Sequence, residues 1–442
     1  MSHRVFAALA ALALLGVSAV RPPNDPRITA MVAAVSSSQL LADDRRLVGF
    51  GTRNDFSETT STHTHGVFAA RDWLLRSFSR IAATSHGRMT VRTDDFIQPK
   101  TARTPRAVHE SSVVAVLRGD EPGRAYVMSS HYDDCNGDCT DGLGVAPGAD
   151  DNASGTSAVL EAARVMASTH FRGTIYFVCF DGEELGLWGS AHFAKELKAQ
   201  GVTIDADLNN DIIGNTHGGN GASELSVIRV FSNALSPTAK PATVNLLGSE
   251  NDSPSRELSR FAAEIIPQYV QNFTVRQIFR ADRYLRGGDQ ESFQDEGFPA
   301  IRFVEPNENF THQHQNVRIV HGTQFGDLPR YIDSHYLARA TQANVATLAA
   351  LALGPTPPTH VQIVLAHLGY TTTLRWANVR DASRYQIVWR STTSPIWEHA
   401  QNVTGALQAT VHASYDDNIF AVRSVDAQGL MSPAVYPLPT RK

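Results

Sequence analysis

Apolar and polar positions divide this chain into two unlike parts. Through the first 353 residues, short β-branched or aromatic runs alternate with segments of helical period. The strand-like runs are Val113 to Leu117, Tyr126 to Ser129, Thr174 to Phe180, Leu225 to Phe231, Val275 to Phe279 and Ala300 to Val304. Between and after them, 154–167, 190–199, 255–266 and 332–353 repeat apolar residues at helical spacing, as does 67–81 ahead of them with Phe68, Trp73, Leu74 and Phe78. This alternation predicts an α/β fold, a mostly parallel mixed sheet flanked by helices on both faces.

At Gly354-Pro355-Thr356-Pro357-Pro358 the pattern stops. A proline-rich stretch of this kind is a short stiff linker. Beyond it, Thr373 to Trp376, Tyr385 to Arg390 and Phe420 to Asp426 alternate at period two, which predicts a small C-terminal β-sandwich over 359–442. The expected organisation is a leader over 1–19, a catalytic domain over 20–353, the linker 354–358 and the sandwich.

Composition adds exclusions. With 442 residues, 42% hydrophobic, 19% charged and a net charge of -5, the chain is an ordinary globular one with dispersed basic residues, so a nucleic-acid surface is not expected. Arg4, the apolar run Val5 to Val17 and Val17-Ser18-Ala19 read as a cleavable secretory signal, predicting a secreted or periplasmic protein. The run is short for a membrane span, so no stable membrane insertion is expected once it is removed. In an exported chain, the spacing of Cys135 and Cys139 predicts a small disulfide loop. Cys179, inside a strand-like run, reads as an inert buried thiol.

Several acids and histidines follow the strand-like runs, where open α/β sheets gather their chemistry. They are His131-Tyr132-Asp133, Pro147-Gly148-Ala149-Asp150-Asp151-Asn152, Asp181-Gly182-Glu183-Glu184, Asn210-Asp211 and Thr311-His312-Gln313-His314. Each has a plain structural reading by itself. Asp-Asp-Asn before Ala-Ser-Gly makes a helix N-cap, and Glu183-Glu184 suits the start of a helix. Together they supply what hydrolysis without a covalent intermediate needs: two zinc ions about 3.5–4 Å apart sharing one carboxylate, with a further carboxylate as base. On this reading Asp150 bridges, His131 and Asp211 hold one zinc, Glu184 and His314 the other, and Glu183 is the general base. Glu183 and Glu184 divide these roles because consecutive side chains leaving a strand point opposite ways. Asp133, two residues past His131, orients its ring. His63 and His65 precede a helix outside this pattern and read as surface residues, and Gly287-Gly288 lacks the Lys of a phosphate loop.

In this order the motifs resemble the secreted co-catalytic zinc aminopeptidases of the bacterial leucyl aminopeptidase type. The resemblance covers 26–353 and includes Arg286 to Phe293 and Gly297 to Phe303. It implies a phosphorylase/hydrolase-like zinc exopeptidase fold and removal of residues from the N-termini of peptides or proteins. It carries the bridging Asp onto Asp150, the base onto Glu183, and metal ligands onto His131, Glu184 and Asp211. Two departures stand out. His312 and His314 are both followed by Gln, and His314 is favoured because related segments read Gln-His. Gln290 stands where a His commonly follows Gly-Gly-Asp. The tail from Thr359 to Leu438 resembles a fibronectin type III domain. Two other classes stay open: a glutaminyl-cyclase-like transferase with a single zinc, and a binding protein with a degenerate peptidase domain. Because every proposed catalytic group precedes Leu353, the core is expected to hydrolyse without the tail.

Overall fold

The computed structural model describes residues 24–121, 123–234, 252–366 and 369–440. The predicted signal over 1–19 lies outside the described residues. Among those described, no helix is long and apolar enough to cross a membrane.

Eight strands form one twisted sheet: β1 (Met89–Gln98), β2 (Val108–Leu117), β3 (Ala125–His131), β4 (Thr174–Phe180), β5 (Ala206–Asn210), β6 (Val227–Phe231), β7 (Thr274–Ile278) and β8 (Ala300–Val304). Their order is β1-β2-β4-β3-β5-β8-β6-β7. The inner strands β4, β3, β5 and β8 are mutually parallel, whereas β1 and β2 are antiparallel additions at one edge. The predicted strands all form. β1 and β5 were not predicted: the β1 sequence Thr-Val-Arg-Thr-Asp-Asp has few apolar positions and one of its faces lies toward solvent at the sheet edge, and β5, Ala-Asp-Leu-Asn-Asn, is mostly polar though buried. The helices Pro26–Ala33 and Ser37–Val48 also escaped the pattern, being short; each is capped by a side chain, Asp25 and Ser36 respectively.

Helices cover both faces. The alanine-rich helix Ser334–Leu353 is buried along nearly its whole length, packed against the helices Pro26–Ala33, Gly155–Met166 and Pro254–Tyr269. Small side chains let these backbones approach, and the largest apolar cluster fills the layer between them and the sheet with Met128, Phe177, Leu208 and Ile301. On the opposite face the helix Trp188–Ala199 packs Phe193 and Leu197 with Phe180 and Phe293.

Past residue 358, the described residues form strands β9 (Gln362–Val364), β10 (Thr372–Arg375), β11 (Arg384–Ser391), β12 (His399–Val403), β13 (Gln408–Val411), β14 (Asn418–Val425) and β15 (Leu438–Thr440). They make two small sheets, one ordered β13-β10-β9-β15 and one β12-β11-β14. Leu374, Trp376, Tyr385, Ile387 and Phe420 fill the space between them. These sheets dock on the helix Pro254–Tyr269. Arg390, only 2% exposed, donates to both oxygens of Asp252 at 2.8 and 2.7 Å. Arg260 donates to the Tyr436 hydroxyl at 2.6 Å, and Glu257 accepts from Trp397 Nε1 and from the Ala434 amide.

Candidate active site

The site lies past the carboxyl ends of the parallel inner strands. β3 ends in His131, which is fully buried. Its Nδ1 lies 3.4 Å from Asp133 Oδ1 and 3.2 Å from the Asp133 carbonyl oxygen, which turns Nε2 into the cavity. There Nε2 meets Asp151 Oδ1 at 3.3 Å, Asp211 Oδ1 at 3.7 Å and Glu183 Oε2 at 3.9 Å. The second imidazole comes from the loop after β8. His314 Nε2 lies 2.8 Å from Glu184 Oε2 and 3.2 Å from Asp151 Oδ2. One carboxylate, that of Asp151, therefore turns one oxygen to each histidine.

This corrects the expected bridge. Asp150 faces away from both histidines: its Oδ1 accepts from the Gly214 amide at 2.8 Å, and its carboxyl is hydrogen-bonded with that of Glu305. Of the two adjacent aspartates, only Asp151 turns into the cavity. The turn out of Gly148, at φ +46°, and the fixing of the Asp150 and Asp151 amides on Asp327 Oδ2 at 2.8 and 2.7 Å decide which one does. The cis peptide in this segment joins Asp151 and Asn152.

The other predicted residues converge. Asp211 follows β5, and its second oxygen pairs with Arg302 Nη2 at 2.9 Å. Past β4 the chain turns at Gly182, φ +75°, where a side chain would be strained, and brings both glutamates to the cavity. The Glu184 amide donates to Asp133 Oδ2 at 3.1 Å, so Asp133 holds the histidine and the glutamate loop together. His312 does not join them. Its ring stacks on Tyr331 at 3.7 Å, and burial lowers its pKa to about 4.

Supporting residues escaped the sequence reading. Arg302 sits 1% exposed in an otherwise apolar strand, with Nη1 3.0 Å from Asp282 Oδ2, and Gln290 donates to that same oxygen at 2.8 Å. The neutral amide at 290 thus steadies Asp282, then Arg302, then Asp211. Arg53, fully buried, donates to the carbonyls of Tyr132, Pro147 and Gly148, tying the His131 segment to the Asp151 turn. The available signal was a charged residue in an apolar strand, which must have a partner when buried.

The donor set suits metal ions. Asp133, Asp151, Glu183, Glu184 and Asp211 crowd two imidazoles, and His131 Nε2, Glu184 Oε1 and Asp211 Oδ1 are buried without hydrogen-bond partners. Such orphaned atoms are costly unless something binds them. Two overlapping groups have the spacing to hold an ion, His131–Asp151–Glu184 and His131–Glu183–Asp211. Burial, together with its acidic neighbours Asp211 and Glu184, raises the Glu183 carboxyl well above the usual range, while Glu184 drives His314 up to about 12. The cleft above holds about 540 Å³ and is lined by Arg103, Leu187, Arg283, Leu285, Arg286 and Glu291 as well as the metal-binding groups.

Residues 112–346 match peptidase family M28. The chain is also 42% identical to a probable zinc metalloprotease of Leptosphaeria maculans, over 96% of this chain and 100% of the relative. The chain belongs to peptidase family M28. A probable zinc metalloprotease of Pyricularia oryzae is 40% identical over 96% of this chain and 86% of its own length. Among solved structures, the M28 chain is similar in fold to the Legionella pneumophila LapA aminopeptidase, with TM-score 0.53, 20% identity and coverage of 80% of each chain. It is similar in fold also to the Macrostomum lignano glutaminyl cyclase, with TM-score 0.54, 16% identity, and coverage of 75% of this chain and 94% of that one.

Proposed function

We propose that this M28 peptidase is a secreted zinc aminopeptidase that removes residues from the N-termini of peptides or proteins, with two zinc ions held by His131, Asp151 and Asp211 and by His314, Glu184 and Asp151. The observation that carries this reading is the placement of Asp151, whose two oxygens face the two histidines separately. A single-zinc transferase has no use for the second histidine–carboxylate group. The description of the relatives as zinc metalloproteases supports the choice of metal.

When bound, the ions supply Lewis acidity toward a carbonyl oxygen and a nearby water. The chain does the rest. Glu183 Oε2, beside the cleft and 13% exposed in its side chain, takes the proton of the attacking water and passes it to the departing amine. Asp133 fixes the His131 ring, and Arg302 fixes Asp211. The tail is proposed as a fibronectin type III-like module, supported by its seven strands in two sheets around one apolar cluster.

A panel of aminoacyl chromogenic substrates and N-terminal glutaminyl peptides, run with metal analysis, tests this. Release of free amino acids by protein carrying two metals supports it. Cyclisation of glutaminyl peptides without hydrolysis overturns it.

A further inference from the structure

The cysteine pair lies against the Glu184–His314 half of the site. Cys135 and Cys139 are disulfide-bonded, and their sulfurs, a Glu184 oxygen and a His314 ring nitrogen all lie within 4.8 Å of one another. Donor atoms around a tetrahedral zinc, with bonds of about 2.0–2.3 Å, stand about 3.3–3.8 Å apart. The sulfurs therefore lie at most about 1–1.5 Å beyond that spacing from the Glu184 and His314 donors, and, being bonded to each other, must move apart once reduced. A loop of this size adds little stability through chain entropy, so stapling is a weak account of the bond. Other contacts hold the loop in place: Asn54 Nδ2 donates to the Cys139 carbonyl at 2.9 Å, and the Gly137 amide to Asn316 Oδ1 at 3.0 Å. Cys135 is buried while Cys139 is partly exposed, which gives a reductant one sulfur to attack.

We propose that Cys135 and Cys139 are latent metal ligands, and that reducing their disulfide converts the Glu184–His314 half-site into a closed zinc site of two thiolates, Glu184 and His314, with Asp151 displaced from that ion, which stops hydrolysis. This rests on the metal site assigned under the proposed function. A dithiol breaks the Sγ–Sγ bond by giving two electrons and two protons and becomes a disulfide itself. The two cysteine thiols then release their protons on binding the ion, since the thiolate is the ligand. Thiolates suit zinc, and four protein ligands leave no position for a substrate or a water. The disulfide thus keeps two strong ligands away from an ion that must stay open.

The test uses full-length protein loaded with cobalt in place of zinc, before and after reduction by a water-soluble phosphine, which leaves as its oxide with oxygen from water. Reduction is expected to raise an intense near-ultraviolet thiolate-to-cobalt band and to abolish hydrolysis. It should also slow cobalt loss to a chelator by at least about tenfold, since even partners outside the ligand set change metal affinity by about 10–100-fold. The double variant Cys135→Ser/Cys139→Ser should give no band and hydrolyse with or without phosphine. Two free thiols by mass spectrometry with no band and unchanged cobalt loss overturn the proposal alone. Oxidised protein that binds no cobalt, or binds it equally well as His314→Ala, overturns the metal-site assignment and the proposal with it.

Discussion

Asp150 and Asp151 are chemically identical neighbours with opposite duties. Asp151 faces both histidines, whereas Asp150 accepts from Gly214 and shares a contact with Glu305. Asp151→Asn is expected to lose metal at both positions, while Asp150→Asn keeps both and loses stability, read by elemental analysis and thermal melting. Glu183 separates metal binding from chemistry. Glu183→Ala should keep near-normal metal while kcat falls by roughly 10² or more. The gathering of carboxylates and histidines was legible because most of the motifs follow strand-like runs, as His131 and Glu183-Glu184 do. Which of two adjacent aspartates bridges was not, because Gly148 and Asp327 set it, and Asp327 is 177 residues from Asp150. His314 over His312 depends likewise on the stacking of His312 on Tyr331.

At the level of elements, the inner parallel strands β3, β4 and β8 were readable because both faces are buried and their runs are largely apolar, whereas β5, Ala-Asp-Leu-Asn-Asn, carries no such run. The edge strand β1 and the short N-terminal helices carry weaker patterns. Docking between elements was illegible. The Arg390–Asp252 pair joins segments 138 residues apart, with nothing local to mark it. The tail interface also carries a titratable group. Burial raises Glu257 from 4.5 to about 7, although Arg260, the Ala434 amide and Trp397 pull the other way. Between those values the folded protein keeps a proton that the unfolded chain releases, so the stability Glu257 contributes is fully present below about 4.5 and is lost as pH rises through about 7. Glu257→Gln should flatten that part of the melting-temperature profile. An unchanged slope would place the titration elsewhere.

Over the whole molecule, the catalytic part and the tail are separate in pattern yet joined by buried polar contacts. Truncation after Pro355 takes Arg390 and Tyr436 from Asp252 and leaves it with Arg260. Asp252 keeps Arg260 and gains water once uncovered, so the truncated protein should melt below the full chain chiefly through loss of the contacts and apolar cover the tail supplies. Among the described residues none of the tail lines the cleft, so kcat/KM on small aminoacyl substrates should be unchanged per folded molecule. A folded, metal-loaded but inactive truncation would show that the tail shapes the cleft. The central claim is a pair of ions sharing Asp151, and titrating metal-free protein with zinc while following peptide hydrolysis tests it most directly. Activity should reach its plateau at two zinc ions per chain, and Asp151→Asn should show no plateau at any stoichiometric addition. Full activity at one zinc per chain, or a normal titration by Asp151→Asn, would contradict it.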